Sequence, residues 1–154
     1  MAVKPIPDGY HSVTPYLVVN GAAKLIDFMK DVLGAEEVFR MDSPTGVGHA
    51  ELRVGDSVVM LADAEGSATG KVAPAMLHIY VNDVDATYKR ALSAGAKSLR
   101  EPADQFYGDR SGGVEDGFGN QWWFATHIED VPPDEMERRA AEAMQASQAG
   151  STSA

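Results

Sequence analysis

The chain contains no cysteine, so neither a disulfide framework nor thiolate chemistry is open to it. No apolar run approaches the ~20 residues that a membrane-spanning helix needs. The opening Met1-Ala2-Val3-Lys4-Pro5-Ile6-Pro7 has no apolar leader segment, and a cytoplasmic location is the expectation. Basic residues are scarce: 13 Lys and Arg stand against 23 Asp and Glu, for a formal net charge of −10. That balance argues against nucleic acid and against anionic membrane surfaces as partners. What is present is 154 residues, 44% of them hydrophobic, which suits one domain with a proper core.

The strongest internal signal is a repetition. Tyr16-Leu17-Val18-Val19-Asn20-Gly21 precedes an amphipathic run and then Leu33-Gly34-Ala35; His78-Ile79-Tyr80-Val81-Asn82-Asp83 precedes a second such run and then Ala94-Gly95-Ala96. The spacing, about 62 residues, is too long for a solenoid unit and reads as a duplicated half-domain. The chain divides accordingly. Residues 1–12 are an irregular lead-in, 13–63 a first module and 64–75 a Gly/Ser/Pro-bearing linker. Residues 76–130 are a second module, and 131–154 a C-terminal segment.

Within the first module, residues 13–19 predict a strand, Asn20 a cap, and Ala22, Leu25, Ile26, Met29 and Leu33 the buried stripe of a helix stopped by Gly34. A strand over 36–41 follows. Gly55-Asp56 then predicts a two-residue hairpin turn pairing Val54 with Ser57, Arg53 with Val58, Glu51 with Met60 and His49 with Ala62. Because strand side chains alternate, Ala50, Leu52, Val54, Val59 and Leu61 form an apolar face. His49, Glu51, Arg53 and Met60 lie on the other.

In the second module residues 76–81 predict a strand, with Met76, His78 and Tyr80 on one face. Asp83 caps a helix whose stripe is Val84, Tyr88, Ala91 and Leu92. A short strand over 97–100, a loop over 102–109 and a hairpin of 112–115 with 121–126 complete it. Of the adjacent tryptophans, Trp122 is assigned to the helix side and Trp123 to the open side. Pro132 and Pro133 start a short helix that ends in a disordered tail.

Three motifs in order carry a family resemblance: Thr14-Pro15-Tyr16-Leu17-Val18-Val19; Gly48-His49-Ala50-Glu51-Leu52-Arg53-Val54 leading to Val58-Val59-Met60-Leu61-Ala62-Asp63; and Gly108-Asp109-Arg110-Ser111-Gly112 leading to Asp116-Gly117-Phe118-Gly119-Asn120-Gln121-Trp122. With the repeat, they resemble the vicinal oxygen chelate superfamily (glyoxalase I, extradiol dioxygenases, bleomycin-resistance proteins), and within it the PhnB-like branch. The resemblance implies an α+β fold of two paired βαβββ modules, whose sheets curve into a cup with helices outside. It also implies a homodimer and a divalent metal held by His, Glu or Gln at four strand positions. Aligned on the strands, those positions fall at Thr14, Met60, Met76 and Trp123, poor ligands for a hard or borderline cation. The expectation is therefore that the usual metal is absent and no cofactor is held.

The remaining lining, Tyr16, His49, Glu51, Arg53, Met60, Met76, His78, Tyr80 and Trp123, suits a planar or hydrophobic organic ligand, with Phe106, Tyr107 and Arg110 closing over it. The bland reading of each stays open: methionines as core filler, Glu51 with Arg53 as a salt bridge, His78 as a histidine bonded to Glu51 or Tyr80. The alternative function is a metal-dependent lyase, isomerase or dioxygenase with an offset site at His49, Glu51 and His78, or with Glu51 and His78 as catalytic base and acid. A third is a structural or regulatory dimer whose cup is filled by its own side chains.

Overall fold

The computed structural model describes residues 2–151. Its elements run β1 (Tyr16–Val19), α1 (Ala22–Leu33), β2 (Glu36–Ser43), β3 (Gly46–Val54), β4 (Ser57–Asp63), β5 (Met76–Tyr80), α2 (Val84–Ser93), β6 (Lys97–Asp104), β7 (Asp109–Glu115), β8 (Gln121–His127) and α3 (Pro133–Ser151). Two four-stranded mixed sheets result, ordered β1-β4-β3-β2 and β5-β8-β7-β6. Each has one parallel pair at one end and antiparallel pairs elsewhere. This is the duplicated α+β architecture that the repeat implies.

The helices form where their apolar stripes meet the sheets. Ala22, Leu25, Ile26, Met29 and Val32 of α1 are completely buried. Gly34, at φ 62°, ends the helix in the left-handed conformation and donates its N–H to the Lys30 carbonyl, while Ala35 N–H reaches that of Met29. In α2 the Asp83 carboxylate accepts from Ala86 N–H, the expected cap. The apolar side chains of both sheets and both helices form one core, in which Phe28 of α1 meets Trp122 of β8 at 6.0 Å between rings. Each large side chain so buried contributes roughly 1.5–3 kcal/mol. The helices thus occupy the shared interior, and the opposite face of each sheet is left open.

Several boundaries differ from expectation, each for a local reason. β1 starts at Tyr16 rather than residue 13, because Pro15 has no N–H to add to a ladder; its carbonyl accepts from Met60 N–H. Asn20 does not cap α1. Gly21 sits at the cap with φ 100°, and Asp63 from the end of β4 accepts Gly21 N–H (2.7 Å), Ala22 N–H (3.0 Å) and Val47 N–H (2.8 Å). The hairpin pairing holds from Val54↔Ser57 to Ala50↔Leu61, one step short of His49 and Ala62. Leu92 is 38% exposed rather than part of the α2 stripe. β2, β6 and β7 are longer than read, because bulges carry β6 past Pro102 and shrink the loop to residues 105–108. α3 is one 19-residue helix without a buried residue, continuing where a disordered tail was expected; residues 152–154 of that tail lie outside the described residues. No helix among the described residues is long and apolar enough to cross a membrane.

Candidate functional site on the open sheet faces

The open faces are built by register. Across the first sheet Tyr16, Met60, Glu51 and Phe39 are consecutive neighbours; across the second, His78, Trp123, Gly113 and Arg100 are. Both rows carry solvent-exposed apolar surface: Met76 is 67% exposed and Tyr80 63%, with Tyr16 at 41%. Trp122 is fully buried and Trp123 is not, so the adjacent indoles divide between core and open face as their alternation requires.

On the first face four side chains form a chain of hydrogen bonds. Tyr10 Oη donates to Glu51 Oε2. Glu51 Oε1 lies 3.1 Å from His49 Nε2, and His49 Nδ1 lies 2.8 Å from Tyr16 Oη. The Tyr10 hydroxyl holds the Glu51 carboxyl below its ordinary range; burial opposes this, and His49 assists. Burial and the Glu51 charge push the Tyr16 phenol up. Glu51 is therefore an ionised acceptor already engaged by two donors. The expected Glu51–Arg53 bridge does not form; Arg53 Nη1 lies 3.9 Å from Glu36 instead. Tyr10 is the residue that sequence reasoning missed. It sits in the irregular lead-in, where no periodicity marks which way a side chain turns.

On the second face Met76, His78, Arg100, Tyr107, Ser111 and Trp123 line a hollow of about 270 Å³. The Arg100 guanidinium lies over the Trp123 ring, 4.9 Å from its centroid, and its Nη2 donates to Ser111 Oγ at 2.6 Å. His78 meets Tyr80 edge to face at 5.1 Å and forms no hydrogen bond to it or to Glu51. Phe106 packs edge to face on Tyr107, and its carbonyl accepts from Arg139 of α3. Arg110, expected to close over a ligand, is instead tied to Asp85 and Asp104, fastening α2 to the β6–β7 hairpin. At the rim Tyr80 Oη donates to Asp109, which also meets His127; hydrogen bonds to Asp109 and Asp130 raise the His127 pKa.

The two groups of residues are not joined. Among the described residues no hydrogen bond or ring contact links the first open face to the second. His78 does not converge with His49 and Glu51, and among the described residues no group of three or more His, Asp or Glu side chains is placed to hold a metal ion. At the four positions that the resemblance assigns to a metal stand Thr14, Met60, Met76 and Trp123, with Tyr16 paired to Met60 and His78 to Trp123 in the sheets. Thioether and indole groups do not fit a borderline cation there.

A larger cavity, about 690 Å³, lies between the halves along the free edge of β5; Leu33, Val54, Val59, Leu77 and Ile79 line it, and His78 and Tyr80 reach it as well. Three of its polar groups serve the frame: Arg90 donates to the Val32 carbonyl and to Thr87, and Asp83 caps α2. The smaller hollow, with its uncommitted aromatic and cationic surface, is the better candidate site.

Comparison with known proteins agrees with this architecture. Residues 9–124 match the Glyoxalase family, described as the Glyoxalase/Bleomycin resistance protein/Dioxygenase superfamily. The chain belongs to this superfamily. It is 37% identical over 136 residues to an uncharacterised protein of Mycobacterium tuberculosis (strain ATCC 25618 / H37Rv), covering 82% of this chain and 80% of that one. A Mycobacterium bovis relative shows the same identity with 90% of its length covered. Among solved structures, TioX from Micromonospora sp. ML1 superposes with a TM-score of 0.66 at 24% identity, covering 77% of this chain and 99% of that chain. A superfamily member from Sphaerobacter thermophilus DSM 20745 gives 0.61 at 20%, covering 75% and 96%. At these identities the structural likenesses establish the fold.

Proposed function

We propose that this superfamily member binds a planar or hydrophobic organic molecule on its open sheet faces, without a metal at the four strand positions. The observation that carries this reading is the identity of those positions: Met60, Met76 and Trp123 offer polarisable, stacking surface where chelating groups would stand. The similarity of its motifs to the PhnB-like branch is in keeping with this.

The binding unit we propose is a homodimer. The hollow on the second face, about 270 Å³, falls short of the ~300–1,000 Å³ typical of small-molecule sites. Exposed Tyr16, Phe39, Met41, Met76 and Tyr80 are the surfaces that a second copy would cover, bringing the first face of one chain over the second face of the other. Arg53, Phe106 and Tyr107 then lie at the margins of the ligand, and Tyr16, His49, Glu51, His78 and Tyr80 supply its polar contacts.

The test is intrinsic tryptophan fluorescence during titration with planar aromatic compounds. Trp123 should be quenched saturably and Trp122, sealed in the core, should not. Trp123→Phe should remove the response. A panel without any saturable quenching by wild-type protein refutes the reading, and sedimentation as a monomer at micromolar concentration refutes its dimeric form.

A further inference from the structure

The second open face carries a cation that nothing among the described residues neutralises. Arg100 makes no ion pair among the described residues, although the chain carries 23 carboxylate side chains. Its neighbour Arg110 is clamped by two aspartates, and Arg138 and Arg139 are paired along α3. The hollow around Arg100 contains no Asp or Glu at all: Met76, His78, Tyr107, Ser111 and Trp123 complete its lining.

The guanidinium is nevertheless held in place. Gly113, between Arg100 and Trp123 in the row, has no side chain, so the indole lies across it; a Cβ there would come within 2.6 Å of the ring. Arg100 stacks on that indole and donates one N–H to buried Ser111. One of its five donors is engaged within the protein, and the others form a planar fork beside a flat aromatic floor.

Resting on the binding function proposed above, we infer that the ligand is an aromatic acid: its carboxylate is paired by Arg100 where the guanidinium rests on Trp123, and its ring packs in the hollow against Met76, His78 and Tyr107. A carboxylate matches the fork bidentately, and charge-assisted pairs of this kind are roughly twice as strong as neutral ones. The overall charge of −10 disfavours anions at long range. That field is screened beyond about 8 Å at physiological salt, whereas the contact with Arg100 is local.

Isothermal titration calorimetry with 2-naphthoate and its neutral isostere 2-naphthamide tests this. Wild-type protein should bind the acid about tenfold or more tightly than the amide, the return on a hydrogen-bonded charge. Arg100→Gln should abolish that preference, so that acid and amide bind alike, and Arg100→Lys, which keeps the charge and loses the fork, should fall between. Equal binding of acid and amide by wild-type protein, or a preference that survives in Arg100→Gln, overturns the inference and leaves the function standing. Binding of neither probe refutes both. Arg100 is exposed, and the urea midpoint of each variant establishes that it is folded.

Discussion

Gly113→Ala isolates the one contact on which the second face is built. Gly113 is not among the residues at positive φ, so alanine meets no backbone strain there. The difficulty is steric. The new Cβ would stand 2.6 Å from Cε3 of Trp123 and 2.7 Å from two further ring atoms, where ordinary contact begins near 3.4 Å. The indole must retreat by about 0.8 Å, against its Nε1–H bond to Gln121 (3.2 Å) and the guanidinium stacked on it. Overpacking of this kind costs about 1–3 kcal/mol, offset by the roughly 0.4–1 kcal/mol that alanine returns by restricting the unfolded chain. The net expectation is a loss of about 1 kcal/mol, which moves the urea midpoint down by roughly 0.5 M.

The assay is urea unfolding followed by far-ultraviolet circular dichroism, together with native-state tryptophan emission. Displacing Trp123 should shift the emission, with Trp122 as the unchanged background. Gly112→Ala is the matched control: its Cβ would meet the Pro102 backbone at 2.9 Å on the other side of β7, destabilising the sheet without touching Trp123. A Gly113→Ala protein with wild-type midpoint and wild-type emission refutes the packing of Trp123 over β7, and with it the floor of the proposed site.

Two further predictions concern the frame and the first face. Asp116 accepts from Phe118 N–H, Asn120 N–H, Asn120 Nδ2–H and the buried Trp122 Nε1–H. Asp116→Ala leaves that indole donor without a partner and should cost about 3–5 kcal/mol in chemical denaturation, whereas a loss under 1 kcal/mol would contradict its role. Tyr10→Phe should raise the Glu51 pKa toward the ordinary carboxylate value, seen by carbon-13 NMR. A depressed carboxyl stabilises the fold above its unfolded pKa, near 4.3, and ceases to do so as pH falls through its folded value. The stability gap between wild type and variant should therefore be widest near neutrality and narrow as pH falls below the ordinary carboxylate value and through the lowered folded one; identical Glu51 titrations in the two proteins would dispose of the Tyr10 contact.

Why the fold could be read from the chain, and the site only in part, follows from comparing the halves position by position. On the core side the strand registers equate Leu17 with Ile79, Leu52 with Val114, Val59 with Trp122, Leu61 with Phe124 and Ala50 with Gly112. Every pair is apolar or small in both halves, because both faces must pack against a helix in one core. That constraint writes itself into the sequence as period-two alternation, which is why the hairpin pairing, the capping Asp83 and the division of Trp122 from Trp123 were all legible. The open faces obey no such rule: Tyr16 answers to His78, Glu51 to Gly113, Met60 to Trp123 and Phe39 to Arg100. Periodicity places these residues on the open side but does not say what they touch. Arg100 escaped notice because its partners are a glycine's empty space and the ring across it, and Tyr10 because the lead-in has no period. Arg110 was misassigned because Asp85, which takes two of its donors, comes from α2, 25 residues away, and Asp104 comes to it only through the bulged β6–β7 pairing. One half now presents an ionised carboxylate engaged by tyrosine and histidine, the other a guanidinium without a counter-ion. The packing that keeps the two core faces alike thus leaves the two free faces at liberty to diverge, and it is on those faces that the proposed ligand contacts lie.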